Sequence, residues 1–338
     1  MIPLLASIAL SFLFTLWMTP KFIIFFERCG LVGRDIQKFG RPEVAEMGGP
    51  PVLAGFLAGV FLFIWMNVFL YGDVKNLPQM LAAIATILII MVIGMFDDMS
   101  SLQKQKQNGE MKNFKRIGIK QWQKPLLTLP AAVPLMAIMA GDTSMSLPLL
   151  GVIDVGMLYP LLLVPLGIMG ASNATNMLAG MNGLEAGLGA IILSTMGAYA
   201  FINGYMPVAA LALTLAAALL AFLVYNWYPA KIMPGDSLAY MIGACVAAVA
   251  IVGNMEKFAV YCFALWFIEL LLKARSLGKA ESFGVLQSDG TLKAPYPHSY
   301  SLTHVVMRLG RFKEREIVSV LMAVQLIIGA ALLVAFTL

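Results

Sequence analysis

The stretch MPVAALALTLAAALLAFLVYN, Met206 to Asn226, carries no charged side chain and has no alternation of polar and apolar positions. It matches the roughly 20 apolar residues that a helix needs to cross a hydrocarbon core about 30 Å thick. The same kind of run recurs along the chain. Apolar stretches bounded by polar clusters predict ten helices, at about 3–26, 49–71, 79–96, 125–140, 157–175, 184–203, 206–226, 238–253, 257–272 and 315–337. Composition agrees: of 338 residues, 60% are hydrophobic and only 12% charged, with a mean hydropathy of +0.85. Soluble domains carry about twice that share of charge, so a water-soluble globule is excluded. A net charge of +5 is too small and too diluted for a nucleic-acid binder. The reading is an all-α polytopic membrane protein, with residues 1–338 forming one integral membrane domain. Met1 to Phe26 lacks a basic leader and is read as the first span, not as a cleavable signal.

The basic residues orient the bundle. The loop after the first helix holds Arg28, Arg34, Lys38 and Arg41, and the loop after the third holds Lys104, Lys106, Lys112, Lys115, Arg116, Lys120 and Lys124. Lys231 follows the seventh helix. Lys273, Arg275, Lys279, Lys293, Arg308, Arg311, Lys313 and Arg315 follow the ninth. The even-numbered loops hold only Lys75 and Lys257. Basic residues concentrate on the cytoplasmic side, so the loops at about 27–48, 97–124, 172–185, 227–237 and 273–314 are expected in the cytoplasm and both termini outside. Pro130 and Pro134 weaken the fourth helix, and 145–156 and 283–296 read as small hairpins, with Asp289-Gly290 as a turn. Cys29, Cys245 and Cys262 lack metal-like spacing and read as small buried residues. His298 and His304 read as ordinary loop or helix residues.

Polar groups at the ends of apolar helices are costly and mark candidate sites. Asp97 and Asp98 end an apolar run, at the unfavourable negative end of the helix dipole, where a cation would relieve their repulsion. Asn173, Asn176, Asn182 and Glu185 lie in an otherwise uncharged loop whose Gly180, Gly183, Gly187 and Gly189 let backbone approach a ligand. Asp236 opens the eighth helix, where it either caps the helix or joins a site. Lys124, Lys273 and Arg275 would hold phosphate oxygens, and Glu46 precedes the second helix on the same side. The set describes an oxygen-donor site for a hard cation, Mg²⁺ with a pyrophosphate, at a membrane surface. The residues alone reach metal-dependent phosphoryl chemistry on a lipid.

Phe96-Asp97-Asp98, Asn173–Gly187 (NATNMLAGMNGLEAG) and Tyr225–Ser237 (YNWYPAKIMPGDS) carry a family resemblance. Together with Glu46, Lys124-Pro125 and the helix after Glu314-Arg315, they make nearly the whole chain similar to the polyprenyl-phosphate N-acetylhexosamine-1-phosphate transferases. The dolichyl-phosphate N-acetylglucosamine-phosphotransferase branch of eukaryotes and archaea is the nearest. The resemblance implies a ten-helix, homodimeric membrane enzyme with a cytoplasmic active site. It would transfer N-acetylglucosamine-1-phosphate from UDP-N-acetylglucosamine to dolichyl or another polyprenyl phosphate and release UMP, the step that starts N-glycan assembly. Residue by residue, it implies Asn176 and Asp236 as Mg²⁺ ligands and Asp97 and Asp98 as the pair beside metal and acceptor phosphate. Lys124 would bind phosphate, Gly180, Asn182 and Glu185 fall in the nucleotide loop, and Glu46 lies towards the lipid phosphate. Two departures stand out. The loop after the ninth helix lacks the family's His/Arg/Pro-rich sugar-contacting stretch, leaving Lys273 and Arg275 to supply charge there, and Met233 stands where eukaryotic members place an aromatic on the uracil. The bacterial peptidoglycan branch has a histidine cluster in its last cytoplasmic loop that is absent here. Another UDP-N-acetylhexosamine or an undecaprenyl-type acceptor would keep the same chemistry. A transporter would place its acids near the midplane in repeated halves, a pattern this chain does not show. A prokaryotic plasma membrane, archaeal by branch, is the expected location, with the endoplasmic reticulum as the other option.

Overall fold

The computed structural model describes residues 1–101, 122–147 and 151–337. Among the described residues, seven helices are long and apolar enough to cross a bilayer: α1 (Ile2–Cys29), α2 (Gly49–Tyr71), α3 (Leu77–Ser101), α7 (Leu184–Ile202), α8 (Met206–Asn226), α9 (Gly235–Val252) and α13 (Glu314–Thr337). The other three expected spans are broken helices. The fourth is α4 (Gln123–Thr128), a 3-10 turn at Leu129–Ala132, and α5 (Val133–Ala137). Pro130 and Pro134 have no N–H to give to a continuous ladder. The fifth begins as a π turn at Tyr159–Leu163 and continues as α6 (Val164–Met177). The ninth is split at Phe263 into α10 (Glu256–Cys262) and α11 (Ala264–Ala274). A short amphipathic helix, α12 (Leu302–Leu309), precedes α13.

The described residues also form three two-stranded antiparallel sheets. Two match expectation: β3 (Ser144–Leu147) with β4 (Gly151–Asp154), and β5 (Val285–Leu286) with β6 (Leu292–Lys293). In the β5–β6 turn the Asp289 carboxylate accepts from the Thr291 amide and hydroxyl, and Gly290 has φ +80°. The third, β1 (Val32–Arg34) with β2 (Glu43–Ala45), was not foreseen. Lys104, Lys106, Lys112, Lys115, Arg116 and Lys120, on which part of the charge asymmetry rests, lie outside the described residues. Cys245 and Cys262 are buried as expected, whereas Cys29 is exposed at the end of α1 because its position faces away from the bundle.

The bundle is built around α9, whose residues from Ser237 to Ile251 are all buried. Without water, helices associate through close van der Waals packing and small residues, and their large apolar side chains face lipid. Accordingly α9 is rich in Ala and Gly, and α3 and α6 pack along it. On α1 the buried stripe is Ser7, Ser11, Thr15 and Thr19, one per turn, while Leu5, Leu13 and Trp17 point outward. The Ser11 hydroxyl donates to the Thr214 carbonyl at 2.7 Å. At the α3–α9 crossing, a Cβ on Gly94 would lie 2.6 Å from the Ser237 Cα, so hydrogen at this position sets the approach that brings Asp97 and Asp98 onto α9. Gly94→Val is expected to destabilise the protein by about 2 kcal/mol through overpacking. Gly170→Ala, where nothing lies within 4 Å of a Cβ, should leave it unchanged. Thermal unfolding in detergent compares the two.

Candidate active site

Four chain segments meet at one end of the bundle. Asp97 and Asp98 lie in the last turns of α3, Lys124 opens α4, Asn176 lies in the last turn of α6, and Asp236 in the first turn of α9. The Lys124 Nζ is 2.7 Å from an oxygen of Asp97 and 2.7 Å from an oxygen of Asp236. The second Asp236 oxygen accepts from the Asn176 amide at 2.9 Å. The Tyr240 hydroxyl, one turn into α9, lies 3.5 Å from Asp97 Oδ2. These groups are largely withdrawn from solvent: Asp97 is 1% exposed. Among the described residues, the Lys124 ammonium thus sits between two carboxylates, a place that calls for positive charge.

Asp98 plays a different part from its neighbour. Both its oxygens accept backbone N–H groups at the start of α9, from Asp236 at 2.6 Å and Ser237 at 3.0 Å. The residue preceding α9 is Pro234, which offers no side-chain cap, so Asp98 caps a helix to which it does not belong. Asp236 does not cap its own helix, and its carboxylate is directed to Lys124 and Asn176 instead. Gly235 permits the contact, since at its φ of +67° a Cβ would lie 2.5 Å from Asp98 Oδ2.

The loop between α6 and α7 forms a second polar assembly. Gly180 has φ +99°, its N–H donates to Glu185 at 2.9 Å, and its carbonyl accepts from Gln37 at 2.8 Å. Glu185 is therefore a brace for this loop. Asn182, 6% exposed, has both side-chain groups engaged: its amide donates to Asp35 at 3.0 Å and its carbonyl accepts from the Ala230 N–H at 3.0 Å. Its own N–H donates to Glu314 at 2.7 Å. Lys38 joins Asp35 and Glu314, and its ammonium lies 4.5 Å from the Tyr228 ring centre. The β1–β2 hairpin is stapled to the segment before α9 by Met233 N–H to Ala45 carbonyl at 2.8 Å and Gly48 N–H to Pro234 carbonyl at 2.7 Å. Glu46 follows β2 directly, and its carboxylate lies over Gly33, where a Cβ would collide with it.

Three expected residues stand elsewhere. Asn173 donates to Thr128 at 3.2 Å and to the Met169 carbonyl, joining α6 to α4. Lys273 faces Glu269, one turn earlier on α11, at 3.8 Å. Arg275 is exposed at the end of that helix. Glu269 is fully buried and accepts from Ser282, Ser301 and the Leu302 N–H, which clasps the segment before α12 to α11. His304 stands with Nδ1 accepting from the Tyr300 N–H and Nε2 near the Phe283 carbonyl. Burial pushes its imidazole below the usual range, in keeping with a neutral ring. Asp35, Gln37, Lys38, Glu314 and Tyr240 were missed by the sequence reading. The only hint was the spacing of Asp35 and Lys38, which places an acid within reach of a lysine counted for orientation alone.

The donor chemistry suits Mg²⁺ shared with a phosphate. Mg²⁺ commonly takes one or two carboxylates and fills its shell with water and phosphate oxygens. Asp97 and Asp236 offer the carboxylates and Asn176 an amide oxygen once its side chain turns, while Asp98 is committed to α9. Among the described residues, no three Asp, Glu, His or Cys side chains gather into an all-protein cage.

Residues 80–254, a segment that includes Asp97, Lys124, Asn176 and Asp236, match glycosyl transferase family 4. The chain belongs to this family. It is 34% identical over 331 residues to a Saccharolobus solfataricus protein named as a UDP-N-acetylglucosamine–dolichyl-phosphate N-acetylglucosaminephosphotransferase, covering 97% of this chain and 94% of that one. A protein of the same name from Sulfolobus acidocaldarius is 32% identical, with 98% and 96% covered. The phospho-N-acetylmuramoyl-pentapeptide-transferase of Shouchella clausii is 29% identical over 270 residues, with 79% and 80% covered. Glycosyl transferase family 4 thus joins this chain to relatives named for two sugar-phosphate transfers.

Proposed function

We propose that the protein transfers N-acetylglucosamine-1-phosphate from UDP-N-acetylglucosamine to dolichyl or a similar polyprenyl phosphate. The products are UMP and the lipid-linked pyrophosphate sugar that starts N-glycan assembly. The observation that carries the reading is the junction of Asp97, Lys124, Asn176 and Asp236, contributed by four helices. Near-full-length similarity to the two archaeal proteins so named supports the substrates. An apolar groove of about 440 Å³ also fits a lipid acceptor. It runs along α6, α9, α10 and α11 past Leu163, Gly170, Ala174, Phe263 and Trp266, and Asn176 lies in the last turn of α6.

In this reading α4, α6 and α10–α11 complete ten spans, and the charge asymmetry supports a cytoplasmic site with both termini outside. The membrane is a prokaryotic plasma membrane, and the protein forms a homodimer. An acceptor phosphate oxygen attacks the β-phosphorus of the donor, and the bond to the UMP oxygen breaks. Asp236 and Asn176 would hold Mg²⁺, which when bound would neutralise the pyrophosphate and the charge growing on UMP. Lys124 releases its two carboxylates to bind phosphate oxygens, and Asp97 orients the acceptor. The acceptor monoester is largely ionised at neutral pH, so attack does not depend on a base. Asp98 fixes the start of α9, and with it Asp236.

The test is UMP release by purified protein supplied with UDP-N-acetylglucosamine, dolichyl phosphate and Mg²⁺, with and without EDTA. Lipid-dependent UMP that stops with EDTA is expected. Turnover with a different UDP-sugar alone would keep the chemistry and move the specificity. Silence from folded protein with every donor would overturn the transferase reading.

A further inference from the structure

The β1–β2 hairpin reaches across the site end of the bundle and touches the α6–α7 loop through Asp35, at Asn182, and through the neutral Gln37, at Gly180. Gln37 is 2% exposed and makes two hydrogen bonds of 2.8 Å, one at each end of its amide. Its nitrogen donates to the Gly180 carbonyl and its oxygen accepts from the Gly284 N–H, so the partners themselves fix which end is which. The two bonds join three segments far apart in the chain: the hairpin, the α6–α7 loop and the segment before β5.

The Gly180 peptide groups are thereby tied on both sides, by Glu185 at the N–H and by Gln37 at the carbonyl. A glycine in the left-handed region has the widest backbone freedom of any residue, and ordering it costs more than ordering any other. A ligand that must order a loose loop loses affinity by that amount, and a loop held in place in advance spares it. The Phe283 ring covers the Cα face of Gly180, where a Cβ would lie 2.5 Å from it. Phe283 and Gly284 are held in turn, the first through its carbonyl near His304 and the second by Gln37. Two residues from Gly180, Asn182 is pinned by Asp35 of the same hairpin.

We infer that Gln37 is a positioning residue for the nucleoside diphosphate part of the donor: it holds the Gly180 loop in the shape that the nucleotide meets. This rests on the proposed function and on the family resemblance, which implies that the Gly180 loop meets the nucleotide. Because Gln37 lies apart from the Asp97–Lys124–Asp236 junction, its loss acts on donor binding and spares the chemical step.

The experiment compares wild type, Gln37→Met and Gln37→Glu. Methionine keeps the volume and loses both bonds. Glutamate keeps the acceptor for Gly284 and loses the donor to Gly180. UDP binding with Mg²⁺ is measured by calorimetry, and KM for the UDP-sugar and kcat by UMP release. Both variants are expected to weaken UDP binding and raise KM by about tenfold, the scale of one or two hydrogen bonds, with kcat within about twofold and KM for the lipid unchanged. Unchanged UDP affinity in both variants, with only a lower unfolding temperature, would overturn the inference and leave the transferase reading intact. Loss confined to kcat would overturn it as well. Wild-type protein that neither binds UDP nor releases UMP would overturn both readings together.

Discussion

Lys124→Met is expected to lower kcat for UMP release by on the order of 10³-fold, comparable to removing a preorganised charge-stabilising donor from an active site. The ammonium has two tasks in the structure, and methionine removes both while keeping most of the side-chain volume. It is 2.7 Å from both Asp97 and Asp236, so without it the two carboxylates, 1% and 21% exposed, lose the cation they share and repel each other. At about 4 Å and an effective dielectric constant near 20, that repulsion is about 4 kcal/mol. It is relieved by taking up a proton or a cation. A divalent cation then meets less competition for Asp236, so the variant should need less Mg²⁺ for half-maximal rate even as its maximal rate collapses. These opposite signs separate a catalytic loss from general damage. Lys124→Arg keeps the charge with a wider, planar head that does not fit between two oxygens in the same way, and is expected to lose about tenfold to a hundredfold. Initial rates at saturating substrates across a Mg²⁺ series measure both effects. A kcat within threefold of wild type in Lys124→Met would remove Lys124 from the mechanism.

Much of this arrangement was legible because lipid as a solvent makes polar groups conspicuous. Asp97, Asp98, Asn176 and Asp236 stand out against apolar runs, and the structure does bring them to one end of the bundle with Lys124. The number of uninterrupted spans was less legible. Hydropathy sees 125–140 as one apolar run, whereas the backbone must also find hydrogen bonds around Pro130 and Pro134, and it does so with a 3-10 turn. The two tasks of Asp97 and Asp98 could not be told apart either. Adjacent residues in a helix point about 100° apart, so one faces Lys124 and the other the end of α9, but which is which depends on how α3 crosses α9 at Gly94. Asp35, Gln37 and Lys38 were hidden for another reason. In a short polar loop hydrophilic residues need no explanation, and their partners Gly180, Asn182 and Glu314 lie more than a hundred residues away. The pairing of Lys273 was hidden too: its charge suggested a ligand, and the structure sets it 3.8 Å from Glu269 on the same helix.

Asp98→Ala should remove about 3 kcal/mol of stability and, through it, about 10²-fold of turnover. The carboxylate satisfies the Asp236 and Ser237 N–H groups at the start of a helix buried along its length. Leaving a buried donor without a partner costs about 1–3 kcal/mol, and the negative charge at a helix N-terminus contributes up to about 2 kcal/mol in partly buried settings. No residue of α9 can replace it, because Pro234 precedes the helix and the Asp236 side chain is bound to Lys124 and Asn176. Turnover falls because one of the two N–H groups belongs to Asp236 itself. With that anchor gone, the first turn of α9 can shift, and a shift of about 1 Å at a reacting site costs on the order of 10²-fold. Asp98→Asn keeps one acceptor but sets an NH₂ against the other N–H, so its losses should fall between wild type and alanine. The competing role, Asp98 as a direct metal ligand, makes the contrary forecast: a greatly raised Mg²⁺ requirement with an unchanged unfolding temperature. Unfolding curves and Mg²⁺ titrations on the two variants therefore decide between a helix cap and a ligand. The geometry favours the cap, since both oxygens are already occupied by α9.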